Sequence, residues 1–214
     1  VLSLQRQQMS ASSRETGAVD GEMVMSLKDR NEKEIYREEQ YRKIESHLLL
    51  DDRPSEYLEK IGETEEFNHF PFDLLKRMKQ TKQSPKYHPE GSVWIHTMMV
   101  VDEAAKHWEQ SKNPQVFMWA ALLHDIGKWK QYEDGTPHEK ASADLAEQIL
   151  AASGFSEEDQ AQVLDAILKH RKKGKQKEEN PLAELLYDAD KLSRACYACE
   201  ARELCDWSEE KKNH

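Results

Sequence analysis

From residue 93 onward the chain repeats apolar residues at helical spacing, broken by short turn signals, and this pattern predicts a succession of helices. Trp94, Met98, Val101, Ala105 and Trp108 fall at steps of four, three, four and three, with Val93, Met99 and Val100 on another side. The segment is apolar nearly all round, which predicts a buried helix that starts at an N-cap on Ser92 and runs to about Trp108. Asn113-Pro114 then pairs a capping side chain with proline at the first helical position. The uninterrupted run Val116 to Leu123 follows and reads as a central core helix. A third helix, from about Glu139 to Ala152, carries Leu145, Ala146, Ile149 and Leu150, and Gly154 is placed to end it in the left-handed conformation. A fourth opens on Ser156-Glu157-Glu158-Asp159, a capping-box pattern, and carries Val163, Leu164, Ile167 and Leu168. The last runs from Pro181 to about Arg202. Upstream, the helical pattern covers Ile35 to Ile61 with a break at Pro54, followed by a short amphipathic stretch holding Phe72, Leu74, Leu75 and Met78. Residues 1–34 are polar and aperiodic and read as a disordered tail. The expected division is therefore a tail over 1–34, packing helices over 35–86, a helical domain over 87–207 and a C-terminal tail over 208–214. The fold class is all-α, a helical bundle.

Composition narrows what such a bundle does. The chain has 214 residues, enough for one domain of ordinary size with appendages. Hydrophobic residues make up 37% and charged residues 34%, and no stretch approaches the roughly 18 consecutive apolar residues of a membrane span. Lys and Arg number 31 against 41 Asp and Glu, and the resulting charge of −10 argues against a general nucleic-acid or anionic-membrane binder. Eight glycines and seven prolines are few for a β-sandwich. The odd count of three cysteines, with no charged segment leading into an apolar one at the N-terminus, points to a reducing, cytoplasmic setting.

The chemistry sits where the apolar core run ends, in Leu122-Leu123-His124-Asp125-Ile126-Gly127-Lys128. An imidazole and a carboxylate are costly to bury there unless they are hydrogen-bonded or bind a metal. A helix C-cap, with Gly127 left-handed and Lys128 answering the helix dipole, explains those two residues and leaves Asp125 without a role. Neutral imidazole offers one nitrogen ligand, whereas a carboxylate offers two oxygens that can bridge two ions. Other helices carry further candidates. His96 lies within the Trp94 helix, His170 shares a face with Val163 and Ile167, and Asp190 stands one turn beyond Leu186. Four helices that each place a His or Asp on or near an inward face build metal sites in bundles.

His96, His124-Asp125 within HDIGK and Asp190 within DADKL resemble the H…HD…D signature of the HD-domain metal-dependent phosphohydrolases, over about His88 to Arg194. HPEGSVWIHT, residues 88–97, is similar to the HD domain attached to some bacterial CCA-adding tRNA nucleotidyltransferases, whose catalytic domain this chain does not contain. HEKASADLA, residues 138–146, is similar to the second histidine helix of longer HD families. The resemblance implies an HD-type bundle over 87–207 and hydrolysis of a phosphoester of a nucleotide or other small molecule. It also implies two divalent transition metal ions (Mn, Fe, Co, Ni or Zn). His96, His124 and Asp190 would hold one ion and His138 and His170 the other, with Asp125 bridging and serving in catalysis. Asp188 is an alternative final ligand, but a helix turns about 200° over two residues, so only one of the pair faces the site.

Lys128 and Lys191 each follow a proposed ligand and are candidates to contact substrate phosphate, Lys128 also as a catalytic residue. Arg171, Lys172, Lys173, Lys175 and Lys177 form a run that is either a solvated loop or a draw for an anionic substrate. Cys196, Cys199 and Cys205 match a metal or redox motif weakly, because structural zinc and common clusters use four ligands; Asp206, His214 or a distant histidine would have to complete the set, and free thiols are the competing account. His47, His69, His88 and His107 read as surface, turn or packing residues, with His88 nearest the site. Two rival functions remain: a di-iron oxygenase of the same superfamily, and a metal-binding regulatory module with little turnover. The expected partner is a small phosphoester or nucleotide, with no membrane and no general nucleic-acid binding.

Overall fold

In the computed structural model the described residues are 16–171, 180–205 and 207–213. The chain divides into two compact units, residues 1–41 and 42–214. The first, within the described residues, is the leading part of helix α1 (Thr16–Leu50). This helix reaches back into the stretch expected to be a disordered tail, and residues 1–15 lie outside the described ones. Glu, Lys, Arg, Met, Gln and Leu dominate from Glu22 onward. These side chains lose little rotamer freedom in a helix, so the segment is helical by propensity where it lacks the apolar period that would announce it.

The second unit takes the end of α1, with Ile44 and Leu48 buried, and continues through α2 (Ser55–Ile61), α3 (Phe72–Gln80), α4 (Val93–Ala105) and α5 (Pro114–Leu123). It is completed by α6 (Lys128–Glu133), α7 (His138–Ser153), α8 (Glu157–Lys169) and α9 (Pro181–Leu192). Short 3₁₀ turns follow, and no strand occurs among the described residues. The capping residues act as their chemistry requires. Ser92 Oγ accepts from the Ile95 amide at 3.2 Å, and Asn113 Oδ1 accepts from that of Val116 at 3.4 Å. Ser156 Oγ accepts from the Asp159 amide at 3.1 Å, and Gly154 closes α7 at φ +79°. α4 stops at Ala105, short of the expected Trp108, which begins a 3₁₀ turn.

Helix α5 is the core. Every side chain from Val116 to Leu123 is buried, and α4, α7, α8 and α9 pack around it. Burying each large apolar side chain contributes about 1.5–3 kcal/mol. The polar end of this helix is therefore delivered to the middle of the bundle, with four helices close enough to contribute side chains to it.

A second device aims the chain into the same place. Thr81 to Val93 is a loop pinched by an antiparallel bridge between Lys82 and Ser92. The Gln83 amide donates to Gly91 O at 2.8 Å and the Val93 amide to Thr81 O at 2.9 Å. Gly91 takes φ +97°, a conformation side-chain-bearing residues rarely adopt, so glycine is needed to close the turn. The loop holds His88 and Glu90 next to the start of α4.

Gly127 corrects the C-cap expectation. Its φ is −93°, not left-handed, and it caps the start of α6 while its amide donates to Ser142 Oγ at 3.0 Å. Glycine is required by proximity, because a Cβ would stand 2.4 Å from both Ala141 C and Ser142 N in the backbone of α7. We expect Gly127→Ala to push α7 away and to destabilise the fold by about 1–3 kcal/mol. Thermal denaturation checks this, and an unchanged melting temperature would show that α6 and α7 yield freely.

Candidate metal centre

The six side chains of the centre reach it from five helices. His96 projects from the second turn of α4, His124 and Asp125 follow the last residue of α5, His138 opens α7, His170 caps the end of α8, and Asp190 lies in the last turn of α9. All six are buried. The rings form a chain, with centroids 5.6 Å apart for His96 and His124, 5.5 Å for His124 and His170, and 5.6 Å for His138 and His170. Among these six side chains, two groups have ligand atoms within 4.8 Å of one another: His96, His124 and Asp125, and Asp125, His138 and His170. Asp125 belongs to both. Asp190 joins the first group through Oδ1, 3.1 Å from His96 Nε2.

Backbone and amide oxygens decide which ring nitrogen is free. His124 Nδ1 is 2.8 Å from Ala121 O, His170 Nδ1 2.6 Å from Ile167 O, and His138 Nδ1 2.6 Å from Gln131 Oε1. Oxygens of this kind only accept, so each Nδ1 carries the proton and donates it, which leaves the Nε2 lone pair for a ligand role. His124 Nε2, Asp125 Oδ1 and Asp190 Oδ1 are buried without a hydrogen-bond partner. Orphaned atoms of this kind are expensive in an apolar interior, and a mixed set of imidazole nitrogens and carboxylate oxygens suits a borderline divalent cation. The residues present fit such an ion.

The electrostatics agree. Burial pushes His124 and His138 down to about 4, so both rings are neutral near pH 7 with a lone pair available. Burial opposes the charge on Asp125 and Asp190. The positive field of Lys128 and neighbouring histidines at Asp125, and of His96, Lys191 and Arg194 at Asp190, outweighs it and holds both carboxyls well below the usual range. Burial also works against a proton on His96, but Asp190 and Glu90 overcome it and raise this imidazole to about 9. A cation taken up here would displace that proton.

The rim carries the expected lysines. Lys128 Nζ stands 3.4 Å from Asp125 Oδ2, whereas Lys191 pairs directly with Asp190 Oδ2, which Arg194 also approaches at 3.6 Å. With His96 and Asp125, these three cations line a cavity of about 380 Å³. Asp188 faces a different cavity, beside His107 and Trp207, as the helical turn requires. Of the basic run, Arg171 lines this same cavity and pairs with Glu139 at 3.3 Å, and Lys172, Lys173, Lys175 and Lys177 lie outside the described residues.

The three cysteines are free, half-buried and line one cavity of about 270 Å³. Among the described residues no group of three metal-ligating side chains includes any of them, and Asp206 and His214 fall outside those residues. His47 stacks on Tyr57 and pairs with Asp51, and His107 contacts Glu103 and Gln110. Sequence reasoning passed over Glu90, Gln131 and Arg194. Their signal was weak: a lone polar residue in a turn or helix reveals its partner only when the fold is assembled.

A family model for the HD domain matches residues 93–195. An uncharacterized protein of Clostridium beijerinckii is 46% identical over 101 residues, covering 47% of this chain and 62% of that protein. A multifunctional CCA protein of Cupriavidus necator is 29% identical over 164 residues, covering 74% of this chain and 39% of the relative. Another, from Actinobacillus pleuropneumoniae, is 39% identical over 70 residues, covering 32% of this chain and 16% of the relative. The chain thus spans under two thirds of each of these relatives. No solved structure matches it.

The histidine shifts set a pH dependence. Unfolded imidazoles titrate near 6.5, whereas folded His124 and His138 stay neutral down to about 4. Their stabilising contribution is present above pH 6.5 and lost as the pH falls toward 4. His96, raised to about 9, acts oppositely: its contribution is full below pH 6.5 and lost as the pH rises through 9. With a chelator present we expect the melting temperature to fall from pH 6.5 to 4. A flat profile across that window would mean that the folded rings accept protons as readily as the unfolded ones.

Proposed function

We propose, from the match of residues 93–195 to the HD-domain family model, that the chain is a metal-dependent phosphohydrolase with two cations bridged by Asp125, acting on a nucleotide or similar small phosphoester. The observation that carries this reading is the membership of Asp125 in both groups of ligand atoms. His96, His124 and Asp190 would hold one ion and His138 and His170 the other. Bound divalent ions lower the pKa of a coordinated water toward about 7 and neutralise phosphoryl oxygens.

The protein's own groups supply the rest. The acceptors on each Nδ1 hold the rings in place. Lys128, beside Asp125 and open to the cavity, is placed to meet a phosphate oxygen. Lys191 has three N–H donors and can serve Asp190 and a phosphate together. Arg171 and Arg194 add positive charge at the wall, which draws an anion toward a chain of net charge −10. The cavity falls within the size range of small-molecule sites. Tyr87 and Tyr132 also line it while remaining 58% and 52% exposed, so their rings are available to a base.

Elemental analysis with a phosphatase screen tests the reading. Wild type is expected to hold about two transition metal ions per chain, with full activity not supported by Mg alone. Asp125→Ala should lose most metal and all measurable turnover, whereas His138→Ala and His170→Ala should each keep about one ion and lose turnover by orders of magnitude. About one ion in wild type, unchanged in the two histidine variants, would sink the two-ion reading. Two irons with dioxygen consumption and no phosphate release would assign the oxygenase alternative; tightly held metal without turnover on any phosphoester would assign the regulatory module. If a base stacks at the rim, Tyr87→Ala raises KM for a nucleotide and leaves KM for a small aryl phosphate nearly unchanged.

A further inference from the structure

His88 and Glu90 stand outside the ligand set above, yet with His96 they form a third compact group of ligand-type atoms. Glu90 Oε1 lies 2.9 Å from His88 Nδ1 and 3.3 Å from His96 Nδ1. Its side chain is only 4% exposed, so the carboxylate has given up most of its water and depends on these two rings. On the other edge of His96, Nε2 is 3.1 Å from Asp190 Oδ1. The buried Nδ1 of His96 makes no hydrogen bond of good geometry, and Glu90 Oε1 at 3.3 Å is the carboxylate that faces it.

A neutral imidazole has one nitrogen that donates and one that accepts, and here the two edges of His96 face different groups. Both edges face carboxylates, so without a cation the ring holds a proton on each nitrogen; a cation on the Asp190 side would take the place of the Nε2 proton and leave Nδ1 to donate toward Glu90. The other three histidines solve the same problem with a carbonyl or amide oxygen. His96 lies within α4, where its own amide is engaged with Ser92 O, and the acceptor comes from outside the helix. The pinched loop from Thr81 to Val93 supplies it, with His88 Nδ1 held on the same Glu90 oxygen.

We infer that Glu90 is a positioning residue, anchored by His88, that orients His96 and strengthens its Nε2 as a metal ligand. A charged acceptor on the far nitrogen makes an imidazole a better electron donor than a neutral carbonyl does, so His96 would be the most strongly donating of the four rings. Loss of such a partner typically weakens metal binding 10–100-fold. The inference rests on the cation site proposed above and does not require that site to hydrolyse anything. The same three side chains could instead hold a third ion, an arrangement that would take the Nδ1 edge of His96 for a metal and is disfavoured while Nε2 serves another.

The test is a titration of purified, metal-stripped full-length protein with Co(II) or Mn(II), reading apparent Kd, stoichiometry and the Co(II) visible spectrum. Glu90→Ala is expected to weaken the tighter-affected ion 10–100-fold, with wild-type stoichiometry restored at high metal. Glu90→Gln keeps an acceptor oxygen and should recover much of the loss, and His88→Ala should give a smaller shift. Melting temperatures, taken without metal, monitor folding; if Glu90→Ala fails to fold, Glu90→Gln and His88→Ala carry the measurement. Unchanged affinity in all three variants overturns the inference while leaving two-ion binding in wild type intact. A whole ion lost from Glu90→Ala that no concentration restores overturns it in favour of a third cation. Wild type that binds no transition metal overturns both this inference and the proposed function, whereas metal binding without phosphatase activity overturns only the latter.

Discussion

The structure turns on one electrostatic constraint: a carboxylate, Asp125, placed at the end of a helix with no exposed residue from Val116 to Leu123. A buried anion of this kind is tolerated only when positive charge or ligand atoms surround it. The histidines and the lysine that reach the end of α5 answer that demand, and a second buried carboxylate, Asp190, repeats it. His96 comes from α4, His138 from α7, His170 from α8, Lys128 from the start of α6, and Asp190 with its cationic escort from α9. The same arrangement that makes Asp125 tolerable makes it the shared member of two ligand groups.

Close approach is the second constraint, and it is steric. α6 and α7 come together where Gly127 meets Ala141 and Ser142, leaving no room for a Cβ. That contact sets where His138, the first residue of α7, stands relative to Asp125, which lies two residues before Gly127. A glycine that seemed to serve a turn thus fixes the geometry of a ligand on another helix.

Much of this was legible in the chain. Caps on Ser92, Asn113 and Ser156, the apolar run of α5 and the glycine after α7 all have local causes, and local causes survive into the fold. The six buried His and Asp residues were legible because polar groups on apolar faces are conspicuous. Three things were not. The leading part of α1 has helix-forming residues without an apolar stripe, so periodicity gave no sign of it. Gly127 was misread because a close contact and a left-handed turn call for the same residue. Glu90, in a turn of mixed polar residues, becomes meaningful only when the bridge between Lys82 and Ser92 folds it against His96.

The Thr81–Val93 loop and α9 lie at opposite ends of the domain's sequence, yet Glu90, His96 and Asp190 meet in one line. A cation held between the last two would tie the first core helix to the last, across all the intervening chain. Such a ligand exists only for the assembled bundle and is absent from the unfolded chain, so its binding free energy adds to the cooperativity of folding as a whole. The centre would then act as a clasp as well as a reaction site: the protein's lifetime in the cell would follow the availability of its metal.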